Sequence, residues 1–310
     1  METPAHQHRP ATSALARLQQ GMVAGVVLSA LVGVAWGVTV SPWVAVFAGL
    51  AVASAYTVVL ALQFAAMLAV NRRAAVPALG LWAAVSAWRR ELMVAPQVFA
   101  WRQPFRWRAW PDTTARTAQG TRAVVLVHGF VCNRGLWLPW LAELNRRGLP
   151  YTTVNLEPVF GSIDDYAPLI EDAVRRAHAL TGQPPLLVCH SMGGLAARAW
   201  LAATPGAAGR VCAVVTIGTP HHGTWLARFS HLTNGRQMRM GGHWLQALQA
   251  KEAGLPQPPF ICWYSNADNI VFPAKTATLP GADNRFLPGL PHVAMAYDPR
   301  VVDAALSMLR

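Results

Sequence analysis

Charge is what this sequence has least of. Only 13% of its 310 residues are Asp, Glu, Lys or Arg, against about a quarter in ordinary soluble domains, while 53% are hydrophobic. That balance excludes a disordered chain, which would combine low hydrophobicity with high net charge. Between Arg17 and Arg72, 54 consecutive residues carry no charged side chain. Cysteine is also sparse. Cys132, Cys189, Cys212 and Cys262 form no CxxC pair and show no metal-ligand spacing to nearby histidines. A disulfide framework and a zinc site are both disfavoured, and the four read as buried free thiols suited to a reducing compartment. Internal repeats and low-complexity runs are lacking too.

The uncharged run is longer than any soluble core helix requires. A spanning helix takes about 20 apolar residues, and the run divides at Ser41 and Pro42 into helices expected over 21–40 and 43–70, a transmembrane hairpin. Gly21, Gly25, Gly33 and Gly37 would let the first helix approach a neighbour closely, and Trp36 and Trp43 flank the turn as interfacial aromatics do. A secretory signal, with Arg9 and Arg17 as its basic region, is the competing reading. The second apolar run argues against it, because a cleaved signal has an apolar stretch of only about 7 to 15 residues.

Lys and Arg placement sets the orientation. Arg9 and Arg17 precede the hairpin, its turn has no basic residue, and Arg72, Arg73, Arg89, Arg90, Arg102, Arg106 and Arg108 follow it, against the single acid Glu91. Both ends are therefore expected in the cytoplasm. Much of the net charge of +12 lies in this juxtamembrane stretch, where Trp101, Phe105, Trp107 and Trp110 alternate with arginines. Lipid headgroups suit both residue types; a basic linker packed on a domain would read the same way. No helix-turn-helix, zinc-finger or RNP-like pattern accompanies the charge, so nucleic acid is not an expected partner.

From Arg122 onward, short β-branched runs alternate with amphipathic stretches, the pattern of a parallel sheet with crossover helices. Strands are expected over 123–128, 151–156, 185–190, 211–217 and 259–265, with helices over 136–147, 164–180 (capped by Ser162) and 299–309. The expected division is a tail over 1–20, the hairpin over 21–71, a basic and aromatic linker over 72–119 and an α/β domain over 120–310.

Ligands of such sheets sit beyond the carboxyl ends of the strands. There the chain reads Cys189, His190, Ser191, Met192, Gly193: a serine at a sharp strand-to-helix turn with small residues two before and two after it. This is a nucleophile elbow in which Cys189 replaces the usual first glycine. Serine needs a base, and the base an orienting carboxylate. His292 is the histidine that follows both Ser191 and the acidic candidates. Asp268, directly after a strand, is the preferred acid and Asp283 the runner-up. Met192 and Phe130 would supply backbone N–H groups to an oxyanion. His128 and Gly129 shape the turn before Phe130, and His128, His190, His221 and His222 read as structural or mouth-lining groups.

With these motifs in hand, residues 120–310 resemble the α/β-hydrolase superfamily, in particular bacterial triacylglycerol lipases and esterases. The matching pieces are Val127-His128-Gly129-Phe130, Val188 to Gly194, Thr216 to Thr224 and the loops of Asp268 and His292. The resemblance implies a mostly parallel sheet with helices on both faces, here preceded by two transmembrane helices. It further implies Ser191 as nucleophile, Asp268 and His292 as its partners, Phe130 and Met192 as oxyanion donors, an acyl ester or lipid as substrate and no cofactor. The structural calcium of some such lipases finds no matching ligands. Residues 225–257, rich in apolar side chains, resemble a mobile lid, although core packing explains them equally. Acyl transfer would use the same residues, and a non-catalytic binding protein on this fold is the rival from another class.

Overall fold

The computed structural model describes residues 13–74, 76–115 and 120–309; Arg9 and most of the expected N-terminal tail, like the end of the expected linker, lie outside them. Helix α1 spans Ala14–Val40 and α2 spans Pro42–Asn71, and both are long and apolar enough to cross a membrane. Ser41 lies in extended backbone and its hydroxyl caps α2 through Trp43 N–H. The break occurs here because Pro42 disfavours helix at the residue before it yet suits the first helical position. Gly37 lies directly against Ala45, and Gly33 faces Ala48, as a close-packed hairpin requires, whereas a Cβ on Gly21 or Gly25 would meet nothing within 4 Å among the described residues. Helix α1 begins seven residues earlier than its apolar pattern suggested. Ser13 caps it, and Leu15, Ala16 and Gln19 in its first turns are buried.

Within the stretch read as a linker, residues 81–106 are helical and docked. Helix α3 spans Leu81–Pro96 and continues into π-helical turns over Gln97–Arg106. Ala95 and Val98 join the hydrophobic core under the sheet, and Ala87 packs with Leu60, Phe64 and Met67 of α2. Trp82, Trp101, Phe105 and Trp110 remain exposed. Beyond the turns, Asp112 accepts hydrogen bonds from Arg134, Thr153 and Arg176, pinning the segment to the sheet edge.

The remaining chain alternates strand and helix: β1 Val124–Val127, α4 Leu138–Arg146, β2 Tyr151–Val154, α5 Ala167–Thr181, β3 Leu186–His190, α6 Met192–Ala203, β4 Ala213–Ile217, α7 Thr233–Gln237, α8 His243–Glu252, β5 Phe260–Tyr264, β6 Asp283–Phe286, α9 His292–Met295 and α10 Pro299–Leu306. Among the described residues the strands form one parallel sheet in the order β2-β1-β3-β4-β5-β6. Alternate side chains divide between two cores. Val125, Val127, Leu187 and Cys189 face α5 and α6, while Val124, Leu126, Leu186 and Val188 face Trp137, Trp140 and α10. Burial on both faces explains why these strands read as continuous apolar runs. Strand β6 is polar and sits at the edge, so it lacks that signal.

Residues 225–257 divide between core and surface. Met238, Leu245 and Leu248 are core residues, and Trp225 and Leu226 pack toward α2, whereas Phe229, Leu232 and Met240 are exposed.

Candidate active site

The chain runs from β1 outward to β2 and then crosses to β3, so the loops leaving β1 and β3 diverge. A crevice opens at such a switch point, and the elbow lies there. Ser191 has φ +55° and ψ −131°, a conformation costly for a residue with a side chain and held in place here by its surroundings. Its N–H donates to Ile217 O, and Thr219 Oγ1 donates to its carbonyl. Space explains the small neighbours. A Cβ on Gly193 would stand 2.6 Å from the carbonyl oxygens of both Val127 and His128, and one on Gly129 would stand 2.6 Å from Ser191 Cβ. Cys189 is wholly buried beneath α6, and its side chain fits where the usual motif has glycine.

Asp268 and His292 meet. His292 Nδ1 lies 2.9 Å from Asp268 Oδ2, and Asp268 Oδ1 accepts the N–H groups of Ile270 and Val271. Both side chains are buried. Burial by itself lowers the His292 pKa, but the charge and hydrogen bond of Asp268, with the charge of Glu91, leave it raised. The runner-up acid Asp283 lies on the exposed polar edge strand, where it pairs with Arg285.

His128 Nε2 accepts Leu156 N–H, so its Nδ1 carries the proton and donates to Gly129 O. Burial pushes its pKa down to about 4; the neutral ring ties the turn after β1 to the end of β2. His190 packs on the ring of His292 at 4.7 Å between centroids, with Nε2 3.2 Å from His292 O, and burial holds its pKa well below the usual value. His221 is buried against Thr216 and Cys262, away from the crevice. Met192 opens α6, so its N–H has no acceptor within the helix. Phe130 lies on the loop facing it, followed by Val131 with φ +52°.

Ser191, His292, His190 and Phe130 share a cavity of about 270 Å³, near the lower end of small-molecule sites. Cys132, Asn269, Ile270 and Val293 of the α/β domain also line it, and the remaining walls come from outside that domain: Tyr56, Val59, Leu60 and Gln63 of α2, and Glu91, Ala95 and Phe99 from α3 and the turns after it. No residue of 225–257 lines it.

Glu91 is the site residue that sequence reasoning passed over. It is 1% exposed and accepts the N–H groups of Val293 at 2.8 Å and Ala294 at 3.1 Å, at the start of α9. Burial pushes its carboxyl up to about 7, against those two donors and the charge of His292. A signal existed: Glu91 is the one acid between Glu2 and Asp112. Among the described residues, no group of three or more His, Cys, Asp or Glu is placed to hold a metal ion.

The family model described as "Alpha/beta hydrolase family" matches residues 124–307, more than half of the chain. The chain belongs to the alpha/beta hydrolase family. Among solved structures, this hydrolase is similar to the mature form of Bacillus licheniformis lipase BlEst2, with 18% identity and a TM-score of 0.52 over 60% of this chain and 89% of that one. It is also similar to Aspergillus fumigatus lipase B, with 18% identity and a TM-score of 0.55 over 62% of this chain and 54% of that one. At such identities the likeness concerns the fold. No curated protein matches the sequence.

Proposed function

We propose that this chain is a membrane-anchored serine hydrolase that cleaves carboxylic acyl esters of lipid-like character. The observation that carries the reading is the buried His292–Asp268 hydrogen bond at 2.9 Å, with His292 lining the same cavity as Ser191 on its strained elbow. Two of the solved structures similar in fold are named as lipases, which supports an ester as substrate.

In this reading His292 takes the Ser191 hydroxyl proton as its oxygen attacks the acyl carbonyl, and Asp268 holds the ring in the required tautomer. The N–H groups of Phe130 and Met192 meet the charge that develops on the carbonyl oxygen. His292 then gives the proton to the departing alcohol, leaving an acyl-serine. Water, deprotonated by the same ring, attacks that ester and releases the carboxylic acid, and the proton returns to Ser191. His128, Gly129, Cys189 and Gly193 shape the elbow and the facing turn, and His190 supports the His292 ring.

We assign 21–71 to the anchor and 120–310 to the catalytic domain on the cytoplasmic side of a bacterial inner membrane. The arginines and exposed aromatics of 72–119 form a collar at the lipid surface. Purified full-length protein in detergent is expected to hydrolyse p-nitrophenyl acyl esters, and Ser191→Ala to lower kcat by about 10⁶-fold. Equal turnover by the two proteins would dismiss the reading.

A further inference from the structure

An anchor that only tethers has no reason to wall the reaction cavity. Helix α2 does so with Tyr56, Val59, Leu60 and Gln63. Two of these residues reach both the cavity and the outer surface: Tyr56 is 40% exposed and Val59 54%, beside the exposed apolar Val58 and Leu62. The cavity rim therefore lies on the same face of α2 that, on a spanning helix, meets lipid.

Depth agrees. At 1.5 Å per residue, Tyr56 stands about 21 Å and Gln63 about 32 Å along α2 from Pro42, and the hydrocarbon layer is about 30 Å thick. On a spanning helix with the exposed Trp36 and Trp43 at the far surface, this length would put the rim at the near boundary of the bilayer. The helix is also fixed to the catalytic loops. Gln63 Oε1 accepts Asn269 Nδ2 at 3.0 Å, and Asn269 Oδ1 accepts His292 N–H at 3.3 Å. On the other side of the crevice, Gln19 of α1 donates to Val131 O at 3.5 Å, beside Phe130.

We propose that the hairpin forms half of the acyl-binding site: the chain of a bilayer-resident long-chain acyl ester enters laterally past Tyr56 and Val59 and lies between α2 and the α/β domain, its carbonyl at Ser191. This rests on the ester-hydrolase reading and adds where the acyl chain binds and from which phase it comes. The polar part of the substrate stays at the headgroup level, so the ester need not leave the membrane. The segment resembling a lid contributes no wall, and α2 takes the place such a lid would hold.

The test uses the full-length protein in nanodiscs and p-nitrophenyl acetate and dodecanoate as substrates. Val59→Trp is expected to lower kcat/KM for dodecanoate at least tenfold relative to acetate, and Val59→Ala to move the ratio the other way. Leu50→Trp, on the exposed surface of the same helix and outside the cavity lining, is expected to leave the ratio at its wild-type value. An unchanged ratio in both Val59 variants overturns the proposal. A second readout does not need turnover: a diazirine-bearing dodecanoyl ester is photolysed with the wild type and the adduct mapped by mass spectrometry. Adducts on 56–63 support the site even if no hydrolysis is found, in which case the hydrolase reading fails alone. Adducts confined to 225–257, or none that long-chain ester competes away, overturn the proposal.

Discussion

Glu91 Oε1 accepts the backbone N–H of Val293 at 2.8 Å, joining α3 to the loop of the candidate base across 202 positions of sequence. Its second oxygen takes Ala294 N–H. The carboxylate thus sets where α9 begins and adds negative charge near His292.

Glu91→Gln removes that charge but keeps an acceptor. Because the Glu91 charge raises the His292 pKa, its loss lowers that pKa. The base then stays deprotonated to more acidic values, and the acid limb of the kcat/KM profile moves to lower pH. Profiles of the two proteins that superimpose would limit Glu91 to a structural role. Glu91→Ala leaves two buried donors unpaired, at about 1–3 kcal/mol each, and is expected to lower Tm by several degrees in a thermal scan.

Asp268→Asn is expected to reduce kcat by about 10⁴-fold by allowing the wrong His292 tautomer. Asp283→Asn, on the exposed edge strand, is expected to leave it within twofold. Steady-state kinetics on a soluble ester separates the two acids.

Gly129→Ala places a Cβ 2.6 Å from Ser191 Cβ and 3.2 Å from its Oγ. The elbow or the facing turn must shift, at about 1–3 kcal/mol, and the oxyanion donor on that turn shifts with it. A fall in kcat of about 10²-fold or more is expected. Thermal unfolding checks that the protein remains folded.

The proposed topology places Ser41 outside and Arg73 inside. With Cys212 replaced by serine and the other native thiols buried, Ser41→Cys is expected to react with a membrane-impermeant maleimide in intact cells. Arg73→Cys is expected to react only after lysis. The reverse pattern would place the hydrolase domain outside.

How much of this was legible in the sequence depended on how local each signal is. The elbow is a five-residue pattern at one strand end, and Asp268 and His292 lie on loops whose order the fold dictates; the structure brings Ser191 and His292 to one cavity and sets Asp268 behind His292. Strands β1 to β5 stood out because both faces of the sheet are covered. Strand β6 carries Asp283, Asn284 and Arg285 at an open edge and so lacks the apolar run that marks the other strands. Glu91 and the α2 wall were hidden for a different reason. Each meets the site through a tertiary contact roughly 200 residues away, and an arginine-rich stretch with alternating tryptophans reads as a surface collar whether or not its opposite face is docked.

Fluorophosphonate labelling of isolated membranes tests the central claim most directly, because it reports an activated serine without knowledge of the substrate. The account predicts a labelled wild-type band that disappears in Ser191→Ala and fades strongly in His292→Ala, both proteins being present at wild-type levels in the membrane. A folded, membrane-bound wild type that stays unlabelled after mild detergent, or labelling that survives Ser191→Ala, would contradict it.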